Sequence, residues 1–271
     1  MTVKGDTDSP LYCEIKNTTF ENNSGNWGGA IAAFEPIDMN MDSVFATGNE
    51  ASGNGSFIEL CCGASVSITN STIYNNETNN NDLNVGDSKL TIKNSIIWKD
   101  KIGGGGATIE VTYSDVEGGF TGTGNIDANP IFCDTINYLI RDTSPCVGTG
   151  ENGSNMGARG IGCYRPTSFD WVSTALDTIN ITQSNLADTY TLQWSASTDV
   201  DGDSINYLLY AQIGVYPAEE IYDTTSTSVP ITYQEILEGV FEGSPVNGAT
   251  VRFNVKATDG IDTVDVTGDN R

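Results

Sequence analysis

The 271-residue sequence contains no histidine. This removes the usual general base near neutral pH, the commonest zinc ligand, and every Ser-His or Cys-His nucleophile. Basic residues are scarce too: 12 Lys and Arg stand against 36 Asp and Glu, a formal charge of −24. That balance argues against nucleic acid or an anionic membrane as partner, since both attract basic patches. No apolar run approaches the ~20 residues of a membrane span, so membrane insertion is not expected. The chain opens with the polar stretch MTVKGDTDSP, which is not a cleavable signal sequence. Strong helix formers are sparse, whereas Gly, Asn, Thr, Ser and Asp crowd between short apolar runs. The predicted class is all-β, many short strands joined by turns.

One short pattern recurs in the first half: an apolar residue, an Asn two positions on, an apolar residue three further, then often another Asn. It reads Ile15, Asn17, Phe20, Asn23; then Ile68, Asn70, Ile73, Asn76; then Ile92, Asn94, Ile97, Asp100. A weaker copy places Asp42, Phe45 and Asn49, and a last one runs Val111 to Val116. The apolar residues 20, 45, 73, 97 and 116 are then 25, 28, 24 and 19 apart. Such a period, with two or three short strands in each turn, is the mark of a solenoid. Asn17, Asn70 and Asn94 have a physical reason to sit at its corners, because Asn tolerates the left-handed backbone. Stacked coils are expected to join these amides into a ladder along the axis.

The phrases Phe20-Glu-Asn-Asn23 and Gly28-Gly-Ala-Ile31 resemble the FxxN and GGAI repeats of bacterial right-handed parallel β-helix proteins, including chlamydial polymorphic outer-membrane proteins. Further on, Gly124 to Cys133, Tyr138-Leu139, Ser144-Pro145-Cys146, Asn155 to Ala158 and Gly162-Cys163 resemble the segment that closes many secreted bacterial β-helices. The resemblance implies a right-handed parallel β-helix over 1–165. Five coils at ~4.8 Å each make a rod of ~24 Å, and residues 1–12 offer no cap for its first edge. The expectation is a monomeric piece of a longer chain.

After Cys163 the style changes. Tyr190, Leu192 and Trp194 alternate with polar neighbours, as do Ile205, Tyr207 and Leu209, and Val251, Phe253 and Val255. Thr232 to Gly239 reads as one helical turn. Leu192-Gln193-Trp194, Asp199 to Asp203, Tyr207 and Val255 to Gly260 resemble the fibronectin type III or cadherin-like modules of bacterial surface proteins. This implies an immunoglobulin/fibronectin III-like β-sandwich over 166–271.

Six cysteines, Cys13, Cys61, Cys62, Cys133, Cys146 and Cys163, form no metal-binding spacing. Their even number in an acidic β chain fits disulfides in an oxidising compartment. Neighbours in a strand face opposite ways, so Cys61 and Cys62 are not expected to share a partner. Asp199, Asp201 and Asp203 are the best cation candidate, offering carboxylates to calcium from a short loop, with a solvated acidic turn as the plain alternative. Trp27, Tyr74 and Trp98 are candidates for stacking on sugar rings; Tyr74 and Trp98 hold the same repeat position and are expected in one outward row. Lys16 and Lys93 also share an outward position, with Met41 and Thr69 between them, but no Asp cluster accompanies them. Gly103 to Gly106 lacks the Lys-Ser/Thr of a phosphate loop and reads as a turn between coils. The reading is a secreted or cell-surface binding or adhesion protein, contacting extracellular polysaccharide or a surface protein, with enzyme activity left open. A polysaccharide lyase or glycosidase with its catalytic coils upstream, and a purely structural stalk, are the alternatives.

Overall fold

The computed structural model describes residues 2–3, 11–173, 178–238 and 250–269. Two compact units divide the chain, Met1–Cys163 and Tyr164–Arg271. The first is a parallel β-solenoid. Its three sheets are each five strands deep, and successive strands in every sheet are parallel. The first sheet takes Thr2–Val3, Ile31–Phe34, Ile58–Cys61, Leu83–Val85 and Ile102–Gly103. The second takes Leu11–Lys16, Ile37–Asp42, Ser65–Thr69, Lys89–Lys93 and Thr108–Thr112. The third takes Thr19–Glu21, Phe45–Thr47, Thr72–Tyr74, Ile96–Trp98 and Asp115–Val116. A partial sixth turn follows, in which Ile126 bridges Asp115 in parallel.

Strands of three to six residues close into a coil only if the backbone reverses sharply at every corner. Among the described residues, left-handed conformations recur at three fixed places in the coil. Between the second and third sheets stand Asn17, Ser43, Asn70, Asn94 and Tyr113, with φ of 48, 56, 48, 51 and 50°. Asn22, Gly48, Asn75, Lys99 and Gly118 follow the third sheet, and Glu35, Cys62, Asp87 and Gly106 follow the first, all at positive φ. The expected Asn corners are therefore present, although Ser43 and Tyr113 show that other residues accept the conformation when packing demands it. At Gly104 no other residue fits: φ is 151° and a Cβ would lie 1.8 Å from the Val85 carbonyl oxygen of the coil before.

Inward side chains from the three sheets stack into one apolar column, including Ile31, Ile58 and Leu83 from the first sheet, Met39, Val66 and Leu90 from the second, and Ala46, Ile73 and Ile97 from the third. Here the register departs from the sequence reading by one residue in the second coil. Phe20 pairs with Ala46, and Ala46 with Ile73, so Ala46 faces the core and Phe45 faces out. Likewise Asp42, not Met41, lies between Lys16 and Thr69. The corrected inward positions 20, 46, 73, 97 and 116 are 26, 27, 24 and 19 apart.

The amide ladder also runs elsewhere than expected. Asn70 donates outward to Asp42 (2.7 Å), and Asn94 accepts the Glu151 N–H (2.8 Å). The inner ladder belongs to the residue after the second corner: Asn23 Nδ2 donates to Asn49 Oδ1 (2.8 Å), Asn49 to Asn76 (2.7 Å), and Asn76 to Asp100 (3.0 Å). The backbone N–H of each rung donates to the same oxygen of the next. A second ladder uses hydroxyls: Val44 N–H to Ser71, Ser71 to Ser95, Ser95 to Ser114, and Ser114 to Asn125 Oδ1, at 3.0 to 3.1 Å.

The second unit is built from antiparallel sheets: Thr189–Gln193 with Ser228–Thr232, and a four-stranded sheet ordered Glu219–Thr224, Asn206–Ile213, Val251–Thr258, Thr263–Asp265. Leu192, Trp194 and Ile231 pack with Tyr207, Leu209, Phe253 and Val255 in its core. The expected helical turn is Tyr233–Glu238, opened by a capping box in which Glu235 N–H donates to Thr232 Oγ1 (3.1 Å) and Thr232 N–H to Glu235 (2.7 Å). Its expected Gly239 stop lies outside the described residues. Among the described residues no helix is long and apolar enough to cross a membrane.

The ladder ends on an acid, with a consequence for stability. Asp100 occupies the rung where Asn49 and Asn76 carry an amide nitrogen that donates to carbonyls of the preceding coil. Its Oδ2 is buried without a hydrogen-bond partner. Burial, then the nearby Asp82 carboxylate, holds its carboxyl well above the usual range. Asp100→Asn should restore the donor and raise stability at pH 7 by ~1–3 kcal/mol, whereas Asn49→Ala should cost about as much or more. Urea unfolding at pH 7 checks both; equal midpoints for Asp100→Asn and the parent would remove the argument.

Candidate functional site

Three regions draw together residues singled out from the sequence. The first is the outer face of the third sheet. Tyr74 and Trp98 do lie side by side there, paired in register on adjacent coils. The face is not open. The chain from Ile126 to Ile161 folds back along it, so the segment expected to close the solenoid stacks on its last coil through Ile126 and then covers its flank. Tyr74 packs against Phe132 (5.4 Å between ring centres) and Tyr138 (4.9 Å). Tyr138 also meets Phe45 (5.0 Å), with the Arg159 guanidinium 4.6 Å from the Phe45 ring. Trp98 packs onto a small second core of Ile96, Ile140, Cys146 and Met156. Gly157 N–H donates to the Asn94 carbonyl (2.8 Å) and Ala158 N–H to Thr72 Oγ1 (2.9 Å), stitching the segment to two coils.

Asp115 anchors this cover from below. It is fully buried, accepting Ala128 N–H on Oδ1 (3.1 Å) and facing the Cys146 thiol through Oδ2 (3.2 Å). Burial raises its pKa to about 6, against which the Ala128 N–H and the thiol act. Burial first, and then the carboxylate, push the Cys146 thiol far upward, the opposite of an activated nucleophile. Sequence reasoning missed Asp115. The available signal was the outward column Phe45, Thr72 and Ile96, too apolar for a solvated face.

The cysteines pair as Cys133–Cys163, within the covering segment, and as Cys61–Cys62, while Cys13 and Cys146 remain free. The adjacent pair corrects the strand-based expectation. Cys62 is a corner residue with φ 68°, so its side chain does not follow the strand alternation. Cys146, grouped by sequence with Cys133 and Cys163, serves as a buried thiol.

The second region is the loop face between the third and first sheets. Trp27 is 51% exposed. Gly53 of the next coil lies under its ring, where a Cβ would stand 3.4 Å from the indole carbons. Polar side chains flank it: Ser52 Oγ donates to Asn26 Oδ1 (2.6 Å) and Asn80 Nδ2 to Asn54 Oδ1 (2.7 Å). Thr78 Oγ1 donates to the Gly53 carbonyl (2.7 Å), which fixes the platform. Trp27 thus stands apart from Tyr74 and Trp98 as an open indole on a rigid support.

The third region is the Asp199 loop. Asp199 Oδ1 accepts the N–H groups of Asp201 (3.0 Å), Gly202 (3.2 Å) and Asp203 (3.4 Å), which curls the loop and gathers one oxygen from each of the three carboxylates within 4.8 Å. Asp199 Oδ2 is buried without a hydrogen-bond partner. An orphaned carboxylate oxygen beside two exposed carboxylates is a donor set that suits a hard cation such as calcium.

The two lysines that share an outward strand position are engaged in ion pairs: Lys16 with Glu14 (2.7 Å) and Lys93 with Glu151. Asp82 raises the Asp100 carboxyl further, but both are inside the coil, 4 and 5% exposed. The Gly103–Gly106 run turns from the first sheet to the second against Val85. No protein-family model, curated protein or solved structure matches the sequence.

Asp115 gives the cover a pH dependence. Its folded pKa of about 6 lies above the ordinary 3.8, so its contribution is complete below ~4, declines as pH rises to ~6, and is gone above that. The slope is at most ~1.4 kcal/mol per pH unit. Asp115→Asn should show its largest gain over the parent above pH 6 and converge with it near pH 4, as read by denaturant unfolding at intervals between these values. A pH-independent difference would contradict the assignment.

Proposed function

We propose that this chain is an extracellular or bacterial cell-surface binding protein, in which a right-handed β-helix displays a glycan-contacting loop face and carries a fibronectin III-like sandwich. The observation that carries the reading is Trp27. A half-exposed indole packed against a glycine of the neighbouring coil and edged by Asn26, Ser52, Asn54 and Asn80 offers what a sugar needs: an apolar face for its C–H groups and amides for its hydroxyls. An oxidising compartment is supported by the Cys133–Cys163 pair. The sandwich reading is supported by the two antiparallel sheets, whose Leu192, Trp194, Tyr207 and Val255 share one core. Calcium at Asp199, Asp201 and Asp203 would neutralise the loop and lock its curl. Engagement of Lys16 and Lys93 by carboxylates favours binding over lyase chemistry, where a lysine base must be free to take a proton.

A glycan array should show binding that Trp27→Ala weakens by about tenfold or more, while Tyr74→Ala lowers stability instead, its ring being packed beneath Tyr138. If Trp27→Ala binds like the parent, the loop face is not the site. Unsaturated products or new reducing ends from acidic polysaccharides would establish the enzyme alternative. For the cation, millimolar calcium should raise the unfolding temperature of the parent and leave Asp199→Asn, Asp201→Asn unmoved; a shift shared by both would place calcium elsewhere.

A further inference from the structure

The second unit contains four basic residues, Arg165, Arg252, Lys256 and Arg271. Two of them share one hollow. On the strand Val251–Thr258, Phe253, Val255 and Ala257 enter the core, so Arg252, Asn254 and Lys256 face out. Across the ladder Gln212 pairs with Arg252 and Tyr210 with Asn254. Together with Ala218 and Asp265 these residues line a concavity of about 370 Å³, at the lower end of small-molecule sites.

The partners within the hollow sort its groups by role. Lys256 is engaged, 3.8 Å from Asp265 and 5.7 Å from the centre of the Tyr210 ring. Asp265 is held by Lys256 and by Asn254 Nδ2 (3.0 Å), and Glu220 accepts the Tyr210 hydroxyl (3.3 Å). Arg252 makes no hydrogen bond or ion pair among the described residues, in a chain with three times as many acids as bases. Its planar fork suits a carboxylate, two N–H groups to two oxygens. Each amide beside it commits one of its two N–H groups: Gln212 Nε2 donates to the Tyr216 carbonyl (2.9 Å), and Asn254 Nδ2 to Asp265. These bonds fix the amides and leave their oxygens open as acceptors. Tyr210, which also lines the hollow, adds an aromatic ring.

We propose that this hollow binds an acidic sugar residue, a uronate, with its carboxylate on Arg252 and its hydroxyls donating to Gln212 and Asn254. An acidic peptide would satisfy the guanidinium, but it offers one backbone N–H per residue, whereas a uronate carries several hydroxyls on the same ring as its carboxylate and so matches two closely spaced amide oxygens. The site is separate from the Trp27 face and does not depend on it.

Calorimetric titration of the full chain with tri-galacturonate, its methyl ester and hexaglutamate tests the assignment. The acid should bind, the ester should bind about tenfold more weakly or worse, and hexaglutamate should give no heat. Arg252→Ala should weaken the acid by about tenfold, ~1.4 kcal/mol, with an unchanged unfolding midpoint because Arg252 is exposed. Gln212→Ala should weaken acid and ester alike, and Trp27→Ala should leave this binding intact. Equal affinity for acid and ester, preference for hexaglutamate, no binding by the parent, or undiminished binding by Arg252→Ala would each overturn the proposal.

Discussion

A coil of short strands turns its corners inward as well as outward, and the N–H groups that point inward have no strand partner and no water. Their satisfaction is the constraint on which the solenoid depends, because an unpaired buried amide costs roughly as much as several apolar contacts gain. The protein meets it by borrowing one side-chain oxygen from the next coil at the same corner. Asn49, Asn76 and Asp100 serve one corner, and Ser71, Ser95 and Ser114 another. Each hydroxyl in the second series also donates to a carbonyl two residues back in its own coil. Every coil is therefore unfinished without its successor, and cooperativity along the rod follows from hydrogen bonding as much as from the stacked Ile, Leu and Met side chains.

That dependence needs an end on the C-terminal side, and the two ladders end differently. The hydroxyl ladder closes on Asn125, whose amide donates back to the Val111 and Phe120 carbonyls and so leaves nothing unpaired. The amide ladder closes on Asp100, which accepts well but lacks the donor its predecessors supply. One terminus is satisfied at any pH; the other is satisfied only while a proton stays on the carboxyl. Asp115 repeats the theme on the outside of the coil, where a buried carboxyl near the Cys146 thiol fixes the covering segment. Acidic residues thus stand at the places where the repeat stops repeating.

Much of the fold is legible in the sequence for the reason that it repeats. Class, period and left-handed corners at Asn17, Asn70 and Asn94 follow from recurrence and from what Asn tolerates. The one-residue slip at Phe45 and Ala46 has a physical origin. Alternation reveals which residues are apolar but not which face is covered, and Phe45 is apolar because Tyr138 and Arg159 lie over it. The same cover explains why Tyr74 and Trp98, correctly placed in one row, do not form an open platform. Adjacent Asn residues such as Asn22 and Asn23 perform different work, one as a corner and the next as a ladder rung, and composition alone cannot separate them. Cys61 and Cys62 carry the same lesson, since strand geometry does not hold at a corner.

The scarcity of basic residues takes on a different meaning once their places are known. Of these few cations, four lysines are held close to acids: Lys16 beside Glu14, Lys89 beside Glu110, Lys93 beside Glu151, Lys256 beside Asp265. These exposed pairs add little stability, but they leave the remaining field strongly negative. An anionic ligand approaching such a chain is repelled at long range and must be recognised at short range, by a group that is not already neutralised. Screening by salt shortens the repulsion to about 10 Å at 0.1 M, whereas a bidentate contact acts inside that distance. A single uncommitted guanidinium in a hollow is accordingly a more selective device here than a basic patch would be, because everything around it discourages anions that cannot also use the neighbouring amides.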